Sequence, residues 1–169
     1  GIDFKILKEA LTNFQGVNRR FSLIQNFNGV KIFDDYGHHP TEIKATLSAA
    51  REISNSKVIA IVQPHRYSRL KLLFEDFTSA FNDADTVFIT DIYAAGEIPD
   101  SELNNDSLLS SLISAGHKDA RKYCVIELEK LFENTLRNGD IVVFLGAGDI
   151  STKAKEFVDN IMKNIRHEN

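Results

Sequence analysis

Apolar positions along the chain change their spacing in a regular order. From Phe4 to Phe14, the residues Ile6, Leu7, Ala10, Leu11 and Phe14 recur at helical spacing, and Gln15-Gly16 closes the segment. Two short runs rich in aromatic and branched residues follow, Arg20 to Phe27 and Val30 to Asp34. Asn28-Gly29 between them is a strong hairpin signal. Pro40 suits a first helical position, Ile43, Leu47, Ala50 and Ile53 share a helix face, and Val58 to Val62 is a continuous apolar strand. The same unit then recurs. Leu70, Leu73, Phe74, Phe77 and Phe81 stripe one helix, Val87 to Ile89 is a strand, Leu108 to Ile113 a helix and Tyr123 to Ile126 a strand. A helix over Leu128 to Leu136 stops at Asn138-Gly139, Ile141 to Leu145 is fully apolar, Gly146-Ala147-Gly148 turns, and Ala154, Phe157, Val158, Ile161 and Ile165 stripe the last helix.

Strands that alternate with helices and are apolar on both faces make a mostly parallel sheet covered on both sides. The expected fold is a doubly wound, Rossmann-like α/β domain whose six-stranded sheet opens with an antiparallel hairpin, residues 1–169 forming one domain. Its length of 169 residues, with 43% hydrophobic and 26% charged, fits one core of that kind. The segment from Asp91 to Asp106 is long for a connection in such a fold, which marks it as a functional loop.

Charge narrows the partners. With 20 basic and 24 acidic side chains the net charge is −4, which argues against nonspecific binding to nucleic acid or an anionic membrane. No apolar run is long enough for a bilayer span and no signal-peptide pattern opens the chain, so a cytoplasmic location is expected. The single cysteine, Cys124, excludes an intrachain disulfide and reads as a buried strand thiol. The start at Gly1-Ile2-Asp3, with Met162 the only methionine, points to a piece cut from a longer polypeptide or to a tag scar.

Ligands of open parallel sheets bind beyond the carboxyl ends of the strands. Those positions carry Asp34-Asp35-Tyr36-Gly37-His38-His39-Pro40, then Gln63-Pro64-His65-Arg66-Tyr67-Ser68-Arg69, then Asp91 to Glu97, and finally Gly146-Ala147-Gly148-Asp149. Three of the five histidines lie there, and the loops are expected to converge on one crevice.

Each piece has a plainer reading as well. Asp34, Asp35, His38, His39 and His65 could ligate a metal, yet adjacent histidines rarely address one ion and no spacing matches a familiar metal motif, so no metal is assigned. Arg66 and Arg69 form either a fork for a carboxylate or phosphate, or a solvated pair with Glu75 or Asp76. The Gly146 turn lacks the third glycine of a dinucleotide fingerprint, and Ser68 lacks a nucleophile elbow. Arg19-Arg20 reads by itself as a pair flanking a surface strand. An autonomous metal-dependent hydrolase and a noncatalytic anion-binding module therefore stand as other readings of the residues.

Five segments in one order, Phe14 to Phe21, Asp34 to Glu42, Gln63 to Arg69, Tyr93 to Glu97 and Gly146 to Ile150, resemble the C-terminal domain of Mur ligases. The Gln-Pro-His-Arg-Tyr-Ser-Arg run and Tyr36 resemble the alanine-adding branch more than the murein tripeptide branch. The resemblance implies an ATP- and Mg2+-dependent ligase of peptidoglycan precursor synthesis. In it, UDP-N-acetylmuramate is activated as an acyl phosphate and the amine of L-alanine attacks. It also implies partner domains, a central ATPase domain and an N-terminal UDP-sugar domain, which would hold most of the phosphates and the metal. Position by position, it gives Arg66 and Arg69 to the alanine carboxylate and the Tyr36 ring to its methyl group. His65 and His38 lie as catalytic residues toward the amine, and Arg20 and Asp35 contact the nucleotide, Asp35 at the ribose. The phosphate-loop pattern Gly-x-x-x-x-Gly-Lys-Ser/Thr does not occur in the chain, so ligation by this part alone is not expected.

Overall fold

A computed structural model describes residues 2–12, 17–54 and 56–167. The helix α1 spans Phe4–Thr12, so the expected Phe14 end of its stripe and the Gln15-Gly16 stop lie outside the described residues. The antiparallel hairpin follows as β1 (Ser22–Phe27) and β2 (Val30–Asp35), turning at Asn28 and Gly29, both with positive φ. Then come α2 (Pro40–Ile53), β3 (Val58–Val62), α3 (Tyr67–Leu72), α4 (Phe74–Thr78), β4 (Thr86–Ile89), α5 (Asn105–Ser114), β5 (Ala120–Lys122), α6 (Val125–Asn134), β6 (Ile141–Leu145) and α7 (Ile150–His167).

The sheet order is β1-β2-β6-β3-β4-β5, with every pair after the hairpin parallel. The last strand is thus inserted between β2 and β3, which makes the carboxyl end of β6 the point where the connections diverge to opposite sides. Strand side chains alternate between two cores, as a period of two requires. Val58, Ala60, Val62, Ile141, Val143 and Leu145 pack with Ile43, Leu47, Leu70, Phe77 and Leu112 from α2 to α5. On the other face Ile59, Ile61, Phe88, Val142 and Phe144 pack with Leu128, Phe157 and Ile161 from α6 and α7. Among the described residues no helix is long and apolar enough to cross a membrane.

Three expectations are corrected. The apolar run Tyr123 to Ile126 is not a strand: β5 lies just before it, and Val125 and Ile126 already belong to α6. The Tyr123 N–H still donates to the Ile89 carbonyl, at 2.8 Å, so the ladder ends where the apolar run begins. The strand itself, Ala-Arg-Lys, is a short charged edge of the kind that blunts a sheet, and its polarity hides it from a search for apolar runs. Cys124 is accordingly no buried strand thiol but the half-buried residue preceding α6. Finally, the single helix expected over Leu70 to Phe81 is divided at Leu73 (φ −114°, ψ 21°) into α3 and α4. The break is local, since the Leu73 N–H still donates to Arg69 and its carbonyl accepts from Phe77, so the apolar stripe runs through it.

Candidate active site

Four rings line the carboxyl edge of the sheet. Beyond β3 and β4 the strands stay paired for one more step, as a parallel bridge between His65 and Tyr93. The Tyr93 N–H donates to Pro64 O at 2.9 Å, and the Arg66 N–H to Tyr93 O at 2.8 Å. This registers the two side chains, whose rings stack with centroids 5.4 Å apart and planes 14° apart. His38 reaches the same place from the end of β2, 5.3 Å from the His65 ring, and Tyr36 stands edge-on to His38 at 5.3 Å. Arg69, one turn along α3, lies with its guanidinium 3.4 Å from His65 Nδ1. Tyr36 and Tyr93 are each more than a third exposed, so the site is an open shelf.

The loop after β2 is held by the start of α2. His39 caps that helix, its Nδ1 accepting the Thr41 N–H at 3.3 Å, and Pro40 takes the first helical position. Glu42 reaches back to accept the N–H groups of His38 and His39. Burial pushes the Glu42 carboxyl up, but those two amides and the nearby His38 and Arg20 outweigh it and hold it below the usual range. The ring of His39 is therefore spent on a cap, while His38 turns toward the shelf.

Sequence patterns did not distinguish the two arginines before β1. Arg19 is the interior one: its guanidinium donates to Gly146 O at 2.7 Å and Gly148 O at 3.4 Å and lies 3.5 Å from Asp34. Its own carbonyl accepts the Tyr36 N–H at 2.8 Å. Arg19 thus ties the Tyr36 loop to the turn after β6. Arg20 is exposed, and both guanidinium groups lie over the Tyr36 ring, at 4.9 Å and 5.8 Å. Asp35 faces inward, only 4% exposed, and accepts from Phe21 N, Gly37 N and Thr46 Oγ1 at 2.7, 2.7 and 3.1 Å. The Asp35 carboxylate, expected at the ribose, thus also organises its own loop, with Oδ1 accepting from Gly37 and Thr46 and Oδ2 from Phe21.

The turn after β6 is pressed against the shelf from below. Gln63 donates to Asp149 at 2.5 Å, and a Cβ on Gly148 would collide with the Gln63 side chain and the Tyr93 ring, whose Cγ lies 2.5 Å from the Cβ position. Glycine is required there by close approach rather than by a dinucleotide.

Two features set the electrostatics. Burial lowers the pKa of His65 first, and the charges of His38, Arg69 and Arg66 lower it further against a smaller opposing pull from Glu97. The ring is therefore neutral near pH 7. Neither Arg66 nor Arg69 pairs with Glu75 or Asp76, so the solvated-pair reading of the fork does not hold among the described residues. Structure thus brings together Tyr36, His38, His65 and Arg69, with Arg66 at the head of α3. Tyr93 joins them as a packing partner that its place in a motif alone did not reveal.

The family model of the Mur ligase, glutamate ligase domain, matches residues 19–148. The UDP-N-acetylmuramate–L-alanine ligase of Chelativorans sp. (strain BNC1) is 49% identical over 152 residues, 89% of this chain and 33% of that protein. The ligase of the same name from Ruegeria pomeroyi is 51% identical, over 92% of this chain and 34% of that protein. The chain therefore spans about a third of the length of these curated relatives. Among solved structures, the UDP-N-acetylmuramate–alanine ligase of Thermotoga maritima superposes with a TM-score of 0.75 at 33% identity, covering 97% of this chain and 34% of that one. A murein peptide ligase of Psychrobacter arcticus shares the fold, with a TM-score of 0.67 at 21% identity, covering 95% of this chain and 33% of that one. On the match over residues 19–148, the chain belongs to the Mur ligase family.

Proposed function

We propose that this chain is the amino-acid-delivering domain of a UDP-N-acetylmuramate–L-alanine ligase acting in the cytoplasm on peptidoglycan precursors. The observation that carries the reading is the convergence of Tyr36, His38, His65 and Arg69 on one open shelf, with Arg66 at the head of the same helix. Relatives of that name at 49–51% identity support it. Residues 1–169 act as one domain, and the rest of the longer protein supplies the UDP-sugar and ATPase domains that close over the shelf.

Alanine presents a carboxylate, an amine and a methyl group. Arg66 and Arg69 take the carboxylate, in charge-assisted hydrogen bonds worth roughly 1.5–3 kcal/mol each when desolvated. The Tyr36 ring packs beside the methyl, which biases against larger side chains by only about 1–3 kcal/mol per methylene. Arg69 now lies against His65 Nδ1. A substrate carboxylate draws that guanidinium away and leaves a neutral ring nitrogen able to take a proton from the amine, with His38 beside it. The amine then attacks the acyl phosphate of the muramoyl group, forming the amide and releasing phosphate.

Mur ligases couple amide formation to ATP. In this chain the nucleotide contacts fall to Arg20, which is exposed, and to Asp35 at the ribose, a carboxylate that also organises the loop that carries Tyr36. Phosphates and Mg2+ are held by the rest of the protein, because the chain has no phosphate-loop sequence and Asp34 and Asp35 are buried. The test is phosphate release from ATP by the full-length protein with UDP-N-acetylmuramate and single amino acids. L-Alanine should support turnover, with glycine and L-serine weaker. Turnover with a murein tripeptide and none with L-alanine would refute the assignment.

A further inference from the structure

The helix that presents the arginine pair does not cap itself. Arg66, at the N-cap of α3, has φ 67°, a left-handed conformation unfavourable for a side chain with a Cβ, and makes no side-chain capping bond. The turn that follows Tyr93 supplies what is missing. Ala94 to Glu97 close by a 3.1 Å hydrogen bond through Ala95 (φ 50°) and Gly96 (φ 87°), which brings Glu97 back over α3. Its Oε2 accepts the Ser68 N–H at 2.9 Å and its Oε1 accepts the Ser68 hydroxyl at 2.6 Å. Together with the bond from Arg66 N–H to Tyr93 O, the one loop grips the arginine segment at two points.

We propose that Glu97 is a positioning residue that caps α3 from a distant loop and so sets Arg66 and Arg69 at the spacing the amino-acid carboxylate needs. The choice of substrate rests on the function proposed above; the cap itself does not. The Ser68 hydroxyl and amide hold the Glu97 carboxyl below its usual range, so it stays ionised at neutral pH, and its charge faces Arg66. Two effects of opposite sign follow from that placement. As a cap, Glu97 organises the arginines and strengthens substrate binding; as a nearby anion, it competes with the substrate for Arg66 and weakens it. The two contacts on Ser68, against no ion pair with Arg66 within 4.0 Å among the described residues, make the cap the larger effect.

The experiment uses the full-length ligase containing this chain, with Glu97→Ala, Glu97→Gln and Ser68→Ala. Glu97→Ala is expected to raise the KM for L-alanine about fivefold or more, with the KM for ATP changed by less than about twofold. Glu97→Gln keeps one acceptor oxygen and Ser68→Ala keeps the amide contact, so both should fall between wild type and Glu97→Ala. An alanine KM that is unchanged or lower in Glu97→Ala overturns the proposal, as does an equal rise in both KM values. Hydrogen exchange at the Ser68 amide, read in the same proteins, does not depend on the substrate. It should quicken about tenfold in Glu97→Ala. Unchanged exchange overturns the cap even if the wild-type enzyme proves to use another amino acid, whereas quickened exchange in an enzyme inactive with L-alanine would refute only the function reading.

Discussion

The rings of His38 and His65 lie 5.3 Å apart although they come from different strand ends. Burial of His65, then the charges of His38, Arg69 and Arg66, keep its pKa below the ordinary value of about 6.5. The sign of the consequence is fixed: as pH falls below about 6.5 the unfolded chain binds this proton before the folded one, so His65 draws down stability toward its folded pKa. Activity that needs a neutral His65 should persist below pH 6.5 and fail at lower pH. Arg69→Gln removes a positive neighbour and should move the His65 titration upward. NMR titration of the ring nitrogens checks both points, and a wild-type value above 6.5 would contradict them.

Asp35 holds Phe21, Gly37 and Thr46 together from a position that is 4% exposed. Asn in its place turns an amide donor toward one of three donors. The expected cost is about 1–3 kcal/mol, read from the denaturant midpoint. A loss below about 0.5 kcal/mol would mean that Asp35 does not hold the loop together.

Much of this was legible beforehand because the signals were local or topological. The apolar runs of β3 and β6 match their observed bounds, and the rule for parallel sheets picked the edge where Tyr36, His38 and His65 meet. What stayed hidden depends on direction or on distant partners. Nothing in Arg19-Arg20 tells which guanidinium turns inward to Gly146. The cap on Ser68 comes from a residue 29 positions later. Charged β5 carries no apolar signal at all, and the Tyr123 run beside it has the composition of a strand in the place where a helix begins.

Gly148 and Tyr93 are in steric register, so Gly148→Ala should destabilise by about 1–3 kcal/mol through overpacking. Tyr93→Ala removes the ring that the new methyl group meets. In that background the penalty of Gly148→Ala should shrink, because the other near contact is the adjustable end of the Gln63 side chain. Equal penalties in the two backgrounds would mean that Tyr93 does not press on the turn.

The central claim is that this chain holds the carboxylate of the incoming amino acid through the arginines of α3. Steady-state kinetics of Arg66→Ala in the full-length protein tests it most directly. Loss of a charge-assisted contact worth about 1.5–3 kcal/mol should raise the KM for L-alanine by roughly 10- to 150-fold, with the KM for ATP nearly unchanged. A raised KM for ATP with an unaltered KM for L-alanine would contradict the account and make Arg66 a phosphate ligand instead.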